Sequence, residues 1–262
     1  MPDPSEPGRP WILKYGGNAM TDDATRRASA AALGRLRDEG TPLVVVHGGG
    51  PAIAGALEAA GIASRFVRGR RVTGDDAIAV VEAALTLLGK RLAQEVGDAV
   101  GLTGRDARLI VAEVADPELG RVGRMTGVRV EVLRGLLAAG LTPVLACLAV
   151  DEAGEPLNVN ADEVAGAVAG ALAAPVAYLT DVPGVLDDPS DPSSVLPSLS
   201  AAEARERIAD GRIAGGMIPK VESALEALAL GAPSAAIVDG RHPDLVLEAI
   251  RGRSGTRLTP GE

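Results

Sequence analysis

Residues 43–51 of the chain are LVVVHGGGP. Four apolar residues in a row precede the histidine, so the segment predicts a strand that is apolar on both faces. Strands of this kind belong inside parallel sheets that are covered by helices. Three glycines follow the strand, and an alanine-rich helical stretch begins at Ala52. The segment therefore indicates an α/β protein.

The same alternation continues in both directions from this segment. Short apolar runs alternate with longer amphipathic stretches, which is typical of the strands and helices of an α/β protein. The predicted strands are residues 11–14, 43–47, 109–113, 142–147, 176–179 and 234–238. The predicted helices are residues 24–39, 52–60, 75–96, 128–139, 162–173, 201–210 and 219–230. We expect a three-layer α/β/α sandwich around a mostly parallel central sheet.

The composition excludes several classes of protein. With 262 residues, a net charge of −9 and 47% hydrophobic residues, the chain is not disordered as a whole and is long enough for one large or two small domains. The acidic balance disfavours a nucleic-acid partner, since that affinity comes from clustered Lys and Arg. The longest uncharged stretches, 135–150 and 164–180, are shorter than the roughly 20 apolar residues of a membrane span. The start of the chain has no signal-peptide pattern, so we expect no membrane partner and a cytoplasmic location.

Two glycine loops stand at predicted strand ends. Gly16 and Gly17 follow the first strand, and Gly48 to Gly50 follow the second. Ligands of open α/β sheets lie beyond the carboxyl ends of strands, where glycine lets backbone N–H groups approach an anion. Phosphate is the natural ligand, although each loop alone could be only a tight turn. Neither loop has the pattern of a P-loop or of a dinucleotide-binding fold.

Lysine is scarce, with Lys14, Lys90 and Lys220 the only three among 26 basic residues. Positions that keep lysine in so arginine-rich a chain could need a compact, flexible ammonium group. Lys14 ends a predicted buried strand beside a glycine loop, where an unpartnered charge is costly; a bound phosphate is the favoured partner. Lys220 opens a predicted helix. Lys90 lies within a long helix and is expected to be solvated.

Three polar segments are further candidates. Asn158 to Asp162 precedes an apolar helix, so Asn160 or Asp162 could be its N-cap. Asp181 to Val185 follows a strand and is either a turn or the rim of a nucleotide pocket. Arg70 and Arg71 could present a fork to a carboxylate or be a solvated pair.

The remaining unusual residues have plainer interpretations. We expect His47 to be a strand-end residue bonded to backbone, and Cys147, which lies in an apolar run, to be a buried reduced thiol. Residues 115–126 and 187–199 are predicted to be long loops, and the second could be a lid over a ligand.

Six segments together resemble the N-acetylglutamate kinases of the amino acid kinase family. They are residues 14–20 (KYGGNAM), 47–51 (HGGGP), 71–73 (RVT), 158–162 (NVNAD), 181–185 (DVPGV) and 216–220 (GMIPK). Each segment is short and would be modest evidence alone, but six of them in this order and spacing are specific for that family. The match extends over nearly the whole chain, from Ile12 to Leu258.

The resemblance implies ATP-dependent phosphorylation of the γ-carboxylate of N-acetyl-L-glutamate, the second step of arginine biosynthesis, with Mg²⁺ carried by ATP and no metal site built by the protein. It implies that Lys14 and Lys220 stabilise the transition state and that Asp162 holds both in place. The implied phosphate-binding residues are Gly16, Gly17 and Gly48, and the implied substrate-binding residues are Gly49, Gly50, Arg71 and Asn158. The implied nucleotide-binding residues are Asp181, Val182, Pro183, Gly184, Val185, Leu186, Arg212, Ile213 and Ala214.

The implied fold is an eight-stranded, mostly parallel sheet in two lobes. Residues 11–174 would bind N-acetylglutamate and form a dimer, residues 175–262 would bind ATP, and residues 1–10 would be a flexible tail. Members inhibited by arginine carry an extra N-terminal helix, which a proline-rich tail cannot form. We therefore expect an arginine-insensitive homodimer.

The chain departs from the family at Gly89, where members usually have Asn, and at Gly215, where a polar residue is common. Glycine inside a helix costs about 1 kcal/mol relative to alanine. Two alternative functions stay open: a kinase of carrier-linked α-aminoadipate or glutamate in lysine biosynthesis, and a non-catalytic amino-acid or nucleotide sensor. The arginines at 65, 68, 70 and 71 could dock an acidic carrier.

Overall fold

A computed structural model describes residues 8–16, 23–188, 190–191 and 193–261. Its strands are β1 (Trp11–Tyr15), β2 (Leu43–His47), β3 (Phe66–Val67), β4 (Arg70–Arg71), β5 (Ala99–Leu102), β6 (Ile110–Val114), β7 (Gly123–Val128), β8 (Thr142–Ala146), β9 (Leu148–Val150), β10 (Pro156–Asn158), β11 (Val176–Thr180), β12 (Ser198–Ser200), β13 (Ala235–Asp239) and β14 (Thr256–Thr259). Its helices are α1 (Asp23–Asp38), α2 (Gly50–Ala59), α3 (Asp75–Val96), α4 (Val130–Ala138), α5 (Ala161–Leu172), α6 (Ala201–Ala209), α7 (Met217–Ala229) and α8 (Pro243–Ile250). None of these helices is both long and apolar enough to span a bilayer.

The central sheet has eight strands in the order β12-β14-β13-β11-β1-β2-β8-β5. All neighbours are parallel except β13 and β14, which confirms the predicted sheet. β1 lies between β2 and β11. The strands of the central sheet that follow β1 in the chain, namely β2, β5 and β8, lie on one side of β1. The later strands β11, β12, β13 and β14 lie on its other side. The order of strands therefore reverses between β1 and β11, and ligands of open α/β sheets bind at such a switch point.

Helices cover both faces of the sheet, as the three-layer prediction requires. Along β1, Ile12 packs into one apolar cluster and Leu13 into the other, because successive side chains of a strand point to opposite faces. α2, α4, α5, α6 and α7 contribute to the cluster of Ile12, whereas α1 and α8 contribute to that of Leu13. Cys147 is buried as predicted, and burial raises the pKa of its thiol to about 12.

A second, four-stranded sheet in the order β10-β9-β6-β7 packs beside the central one. The prediction of a continuous loop over residues 115–126 was wrong, because this stretch contains a short 3₁₀ helix, Pro117–Leu119, and most of β7. β7 is held by antiparallel pairing with β6. It carries two glycines and two exposed polar residues, so its sequence has no alternating apolar pattern to reveal a strand.

Gly89 has a packing role that its sequence position did not indicate. A Cβ atom at this position would lie 2.7 Å from Nε2 of His47, and a Cβ atom at Gly101 of β5 would lie 2.9 Å from the Gly89 carbonyl oxygen. α3 can thus approach β2 and β5 closely only because both positions lack a side chain. An alanine at Gly89 would meet this contact, so the helix-propensity cost of the glycine is outweighed.

His47 is fully buried at the end of β2, and its Nδ1 donates to the Gly48 carbonyl oxygen at 2.9 Å, as predicted for a strand-end histidine. Nε2 has no hydrogen-bond partner among the described residues. Burial lowers the pKa of the ring from 6.5 to about 4, because the charged form cannot be solvated there.

Stability is therefore expected to fall on mild acidification. Between pH 7 and pH 5 the unfolded chain takes up a proton at His47 that the folded chain does not, so the free energy of unfolding should drop by about 2 kcal/mol. Urea unfolding at both pH values measures this drop. His47→Asn should remove most of it, whereas His242→Asn, at the other histidine, which is exposed, should keep it. An undiminished drop in the His47 variant would refute the assignment.

Candidate active site

A cleft of about 350 Å³ lies beyond the carboxyl ends of β1 and β11, at the switch point of the sheet. It is lined by Lys14, Gly16, Asp162, Tyr178, Leu179, Thr180, Asp181, Gly216, Pro219 and Lys220. Two of the three lysines of the chain thus lie in one cleft, although β1 carries one and α7 the other. No three metal-binding side chains come together in the described part of the chain.

Lys14 is held by an ion pair with Asp162. Its Nζ lies 2.9 Å from Oδ1 of Asp162, and the lysine side chain is only 16% exposed. The Asp162 carboxylate is therefore the partner that the Lys14 ammonium group requires. From the sequence, a bound phosphate was the favoured partner. A Cβ atom at Gly16 would lie 3.2 Å from both Cε and Nζ of Lys14. The glycine thus leaves room for the lysine to bend over the end of its own strand.

Asp162 is available for this ion pair because Asn160 caps α5. The Asn160 side chain accepts a hydrogen bond from the Asp162 backbone N–H at 2.8 Å. The sequence left the N-cap open between these two residues, and the structure assigns it to Asn160. Asp162 follows in the first helical turn, where the helix dipole favours a negative charge.

Lys220 stands in the first turn of α7 and pairs with Asp181, at 3.3 Å from Nζ to Oδ1. The resemblance implied that Asp162 holds both lysines, whereas here Asp162 contacts Lys14 and Asp181 contacts Lys220. Burial raises the pKa of Asp181, but its own backbone amide and Lys220 outweigh burial and hold the pKa below its usual range. The cleft therefore contains two lysine–carboxylate pairs.

The second glycine loop lies beside the first. The Gly48 backbone N–H donates to the Tyr15 carbonyl oxygen at 3.1 Å, and Gly49 and Gly50 begin α2. α2 has no side-chain cap at this end, so backbone N–H groups at its start are available to an anion.

Arg71 and Asn158 are connected to the second glycine loop through hydrogen bonds. Nη2 of Arg71 donates to the Gly50 carbonyl oxygen at 3.2 Å, and the guanidinium stacks on Phe66 at 4.7 Å. Nδ2 of Asn158 donates to Thr73 Oγ1 at 3.1 Å, and Thr73 in turn donates to the Arg71 carbonyl oxygen at 3.2 Å. Arg71 and Asn158 are thus connected through the fully buried Thr73.

Several predicted nucleotide-binding residues do not line the cleft. Gly184 and Val185 are buried against Thr256 of β14, whose hydroxyl accepts a hydrogen bond from the Val185 N–H at 2.8 Å. Ile213 is buried as well. The others outside the cleft are Val182, Pro183, Leu186, Arg212 and Ala214. The predicted phosphate-binding Gly17 lies outside the described residues, as do Asn18, Ala19 and Met20.

Five residues that line the cleft had no site role predicted from the sequence: Tyr178, Leu179, Thr180, Gly216 and Pro219. Gly216 and Pro219 belong to the segment 216–220, which also contains Lys220 and carries part of the family resemblance. That segment could have indicated them. Thr180 ends β11, and its hydroxyl bonds to the Val182 and Val238 carbonyl oxygens. A lone threonine after an apolar strand has no pattern that would mark it.

Comparison with known proteins shows what this chain is similar to. Residues 9–239 match the amino acid kinase family. The acetylglutamate kinase of Deinococcus radiodurans is 57% identical over 249 residues, which cover 95% of this chain and 100% of that protein. An acetylglutamate kinase of Thermus thermophilus is 47% identical over 95% of this chain and 98% of that protein. Among solved structures, smu.665 from Streptococcus mutans UA159 has a TM-score of 0.77 and 31% identity over 97% of this chain and 99% of that chain.

Proposed function

The chain belongs to the amino acid kinase family, and from that premise we propose that it transfers the γ-phosphoryl group of ATP to the γ-carboxylate of N-acetyl-L-glutamate, the second step of arginine biosynthesis. The observation that carries the proposal is the convergence of Lys14 and Lys220 on one cleft at the switch point. The named relatives are acetylglutamate kinases. They do not favour the carrier-linked kinase or the sensor.

The reaction requires neutralisation of charge more than proton transfer. A carboxylate is already ionised at pH 7, so the nucleophile needs no general base. The obstacle is repulsion between the carboxylate and the γ-phosphate. Two ammonium groups and the backbone N–H groups of the glycine loops can draw these anions together and stabilise the charge on the transferring group. Mg²⁺ carried by the nucleotide would neutralise further phosphate charge.

We assign the transition-state roles to Lys14 and Lys220 and a positioning role to Asp162. Lys14 extends from the N-terminal lobe, residues 11–174, and Lys220 from the C-terminal lobe, residues 175–262. The lysines would exchange part of their contact with Asp162 and Asp181 for contact with phosphate oxygens. This exchange is supported by the partial exposure of all four side chains in the cleft.

The remaining assignments rest on the resemblance to the family, and of the residues assigned to phosphate and to N-acetylglutamate, Gly16 lines the cleft. Gly16, Gly17 and Gly48 would contact phosphate, and Gly49, Gly50, Arg71 and Asn158 would bind N-acetylglutamate. Of the residues proposed for the nucleotide, Asp181 lines the cleft. We propose that 182–186 and 212–214 shape the nucleotide pocket mainly through backbone, since the side chains of Val185 and Ile213 are buried and Gly184 has none.

We also propose that the enzyme is a cytoplasmic homodimer. The edge strand β5 and the exposed Leu87 of α3, whose side chain is 54% exposed, offer a surface on the N-terminal lobe for a second copy. Light scattering after size-exclusion chromatography measures the mass of the particle, and a monomer at micromolar concentration would contradict the dimer.

Trapping of the product with hydroxylamine tests the function. An acyl phosphate reacts with hydroxylamine to give a hydroxamate that absorbs with ferric ion, so the assay detects carboxylate phosphorylation directly. We expect ATP-dependent hydroxamate from N-acetyl-L-glutamate and far less from free glutamate or aspartate. A purified protein that forms none from N-acetylglutamate, or as much from the free amino acids, would disprove the assignment.

Arg71→Lys is expected to raise the KM for N-acetylglutamate by about fivefold or more and to leave the KM for ATP nearly unchanged. A lysine keeps the charge but loses the planar fork that binds a carboxylate through two hydrogen bonds. Steady-state kinetics with each substrate varied in turn separates the two constants. Arg105→Lys, at an arginine paired with Glu82 outside the cleft, is the control. Equal rises in both constants would contradict the role of Arg71.

A further inference from the structure

The hairpin that carries Arg71 has little support of its own. β3 and β4 form a separate two-stranded sheet with two residues in each strand. They are joined by Arg68 and Gly69, whose φ angles are 48° and 76°, as in the two-residue turns of tight hairpins. An isolated hairpin is marginally stable in water, and Phe66 is 57% exposed. Contacts outside the hairpin must therefore determine where it lies.

Arg70 provides one such contact on the side of the hairpin away from Arg71. Neighbouring residues of a strand point to opposite faces: Nη2 of Arg71 bonds to Gly50, whereas Nη2 of Arg70 bonds to Oε1 of Glu163. A cavity of about 420 Å³ lies on the Arg70 side, lined in part by Val67, Glu163 and Glu226. Because the hairpin is not closely packed across this cavity, ion pairs fasten it there: Arg70 pairs with Glu163 of α5, and Arg68 of the turn pairs with Asp116 at 2.9 Å. The Arg70 pair is the one that joins the hairpin to α5.

Glu163 is the residue after Asp162 in the first turn of α5. Burial raises the pKa of Glu163, and the nearby Glu226 and Asp162 act in the same direction, whereas Arg70 opposes them. Arg70 is thus the cation that stabilises this carboxylate. Two consecutive residues of α5 therefore each hold a cation: Asp162 holds Lys14, and Glu163 holds Arg70. We assign Lys14 to the phosphoryl group, and Arg70 is the neighbour of Arg71, which we assign to the amino acid.

We infer that the Arg70–Glu163 ion pair positions the β3–β4 hairpin relative to α5, and so sets the distance between Arg71 and Lys14 for the amino-acid substrate. Arg70 and Glu163 are positioning residues, since they pair with each other and we assign neither to contact with a substrate. The inference rests on the proposed function for its substrate. The placement of the hairpin can be tested without it.

Kinetics of Arg70→Gln and Glu163→Gln test the consequence for the substrate. Each should raise the KM for N-acetylglutamate about fivefold, the factor that corresponds to a partly exposed ion pair worth about 1 kcal/mol, with the KM for ATP unchanged. The reversed pair, Arg70→Glu with Glu163→Arg, should recover most of the loss. Arg105→Gln breaks a pair of similar exposure, 41% and 25% against 37% and 22%, and should leave the KM for N-acetylglutamate unchanged.

Hydrogen exchange of the backbone amides tests the placement itself. Glu163→Gln should speed exchange of the Val72 N–H, which bonds to the Arg65 carbonyl oxygen, by about fivefold, and Arg105→Gln should not. Unchanged exchange at Val72 would overturn the inference whatever the substrate is. If the wild-type protein phosphorylates N-acetylglutamate, a second outcome would also overturn the inference. In that outcome Glu163→Gln speeds exchange at Val72 but leaves the KM for N-acetylglutamate unchanged. A wild-type protein inactive on N-acetylglutamate would refute the proposed function alone, and the exchange result would still decide the inference.

Discussion

Replacing Lys14 by alanine is expected to lower kcat by about 10²-fold or more, and Lys220→Ala is expected to have an effect of the same size. Each change removes a preorganised cation from a cleft where charge develops in the transition state, and loss of one such donor costs about 10² to 10³ in kcat. Single-turnover assays with saturating ATP and N-acetylglutamate isolate the chemical step. Both variants should fold, since neither lysine is part of an apolar cluster.

Lys90→Ala is the matched control for this pair. Lys90 is the third lysine of the chain, and its Nζ donates to the Gly101 carbonyl oxygen at 2.7 Å, outside the cleft. Its removal should leave kcat within a few-fold of the wild-type value. Activity of Lys14→Ala or Lys220→Ala within the same few-fold range would show that the cleft does not use that ammonium group.

Asp162→Ala is expected to lower kcat by about 10²-fold while the protein stays folded. Without the carboxylate, the Lys14 side chain loses the partner that holds it at 2.9 Å, and a misplacement of about 1 Å at a reacting centre can cost that factor. The N-cap of α5 is retained, because Asn160 supplies it. The melting temperature, measured beside kcat, shows whether the loss arises from positioning or from unfolding.

The double variant Lys14→Ala/Asp162→Ala tests whether the two residues act as one unit. If Asp162 acts through Lys14, the double variant should be about as slow as Lys14→Ala, because residues in contact do not contribute additively. Asp244→Asn, in the first turn of α8 and 3.5 Å from Arg35, is the control carboxylate and should not change kcat. Losses that multiply in the double variant would assign Asp162 a role independent of Lys14.

Long elements of the fold could be predicted because their signal is local. β2 and α3 begin and end where the sequence predicted, at 43–47 and 75–96, and the other predicted elements agree to within one or two residues. The strands β3, β4, β5, β7, β12 and β14 and the helix α8 were not predicted. The strands β9 and β10 were missed as well, since three residues are too few for a periodic pattern. They exist because they pair with each other and, through β9, with β6.

The sequence by itself determined the fold class and the family and singled out the two lysines that line the cleft, because strand and helix patterns and glycine loops at strand ends are written in neighbouring residues. Only the tertiary structure decided which carboxylate each cation meets. Asp162 contacts Lys14, Asp181 contacts Lys220 from 39 positions away, and Glu163 contacts Arg70 from 93 positions away. An ion pair depends on distances of a few ångströms between segments that the chain brings together only when the sheet is assembled, so no local pattern encodes it.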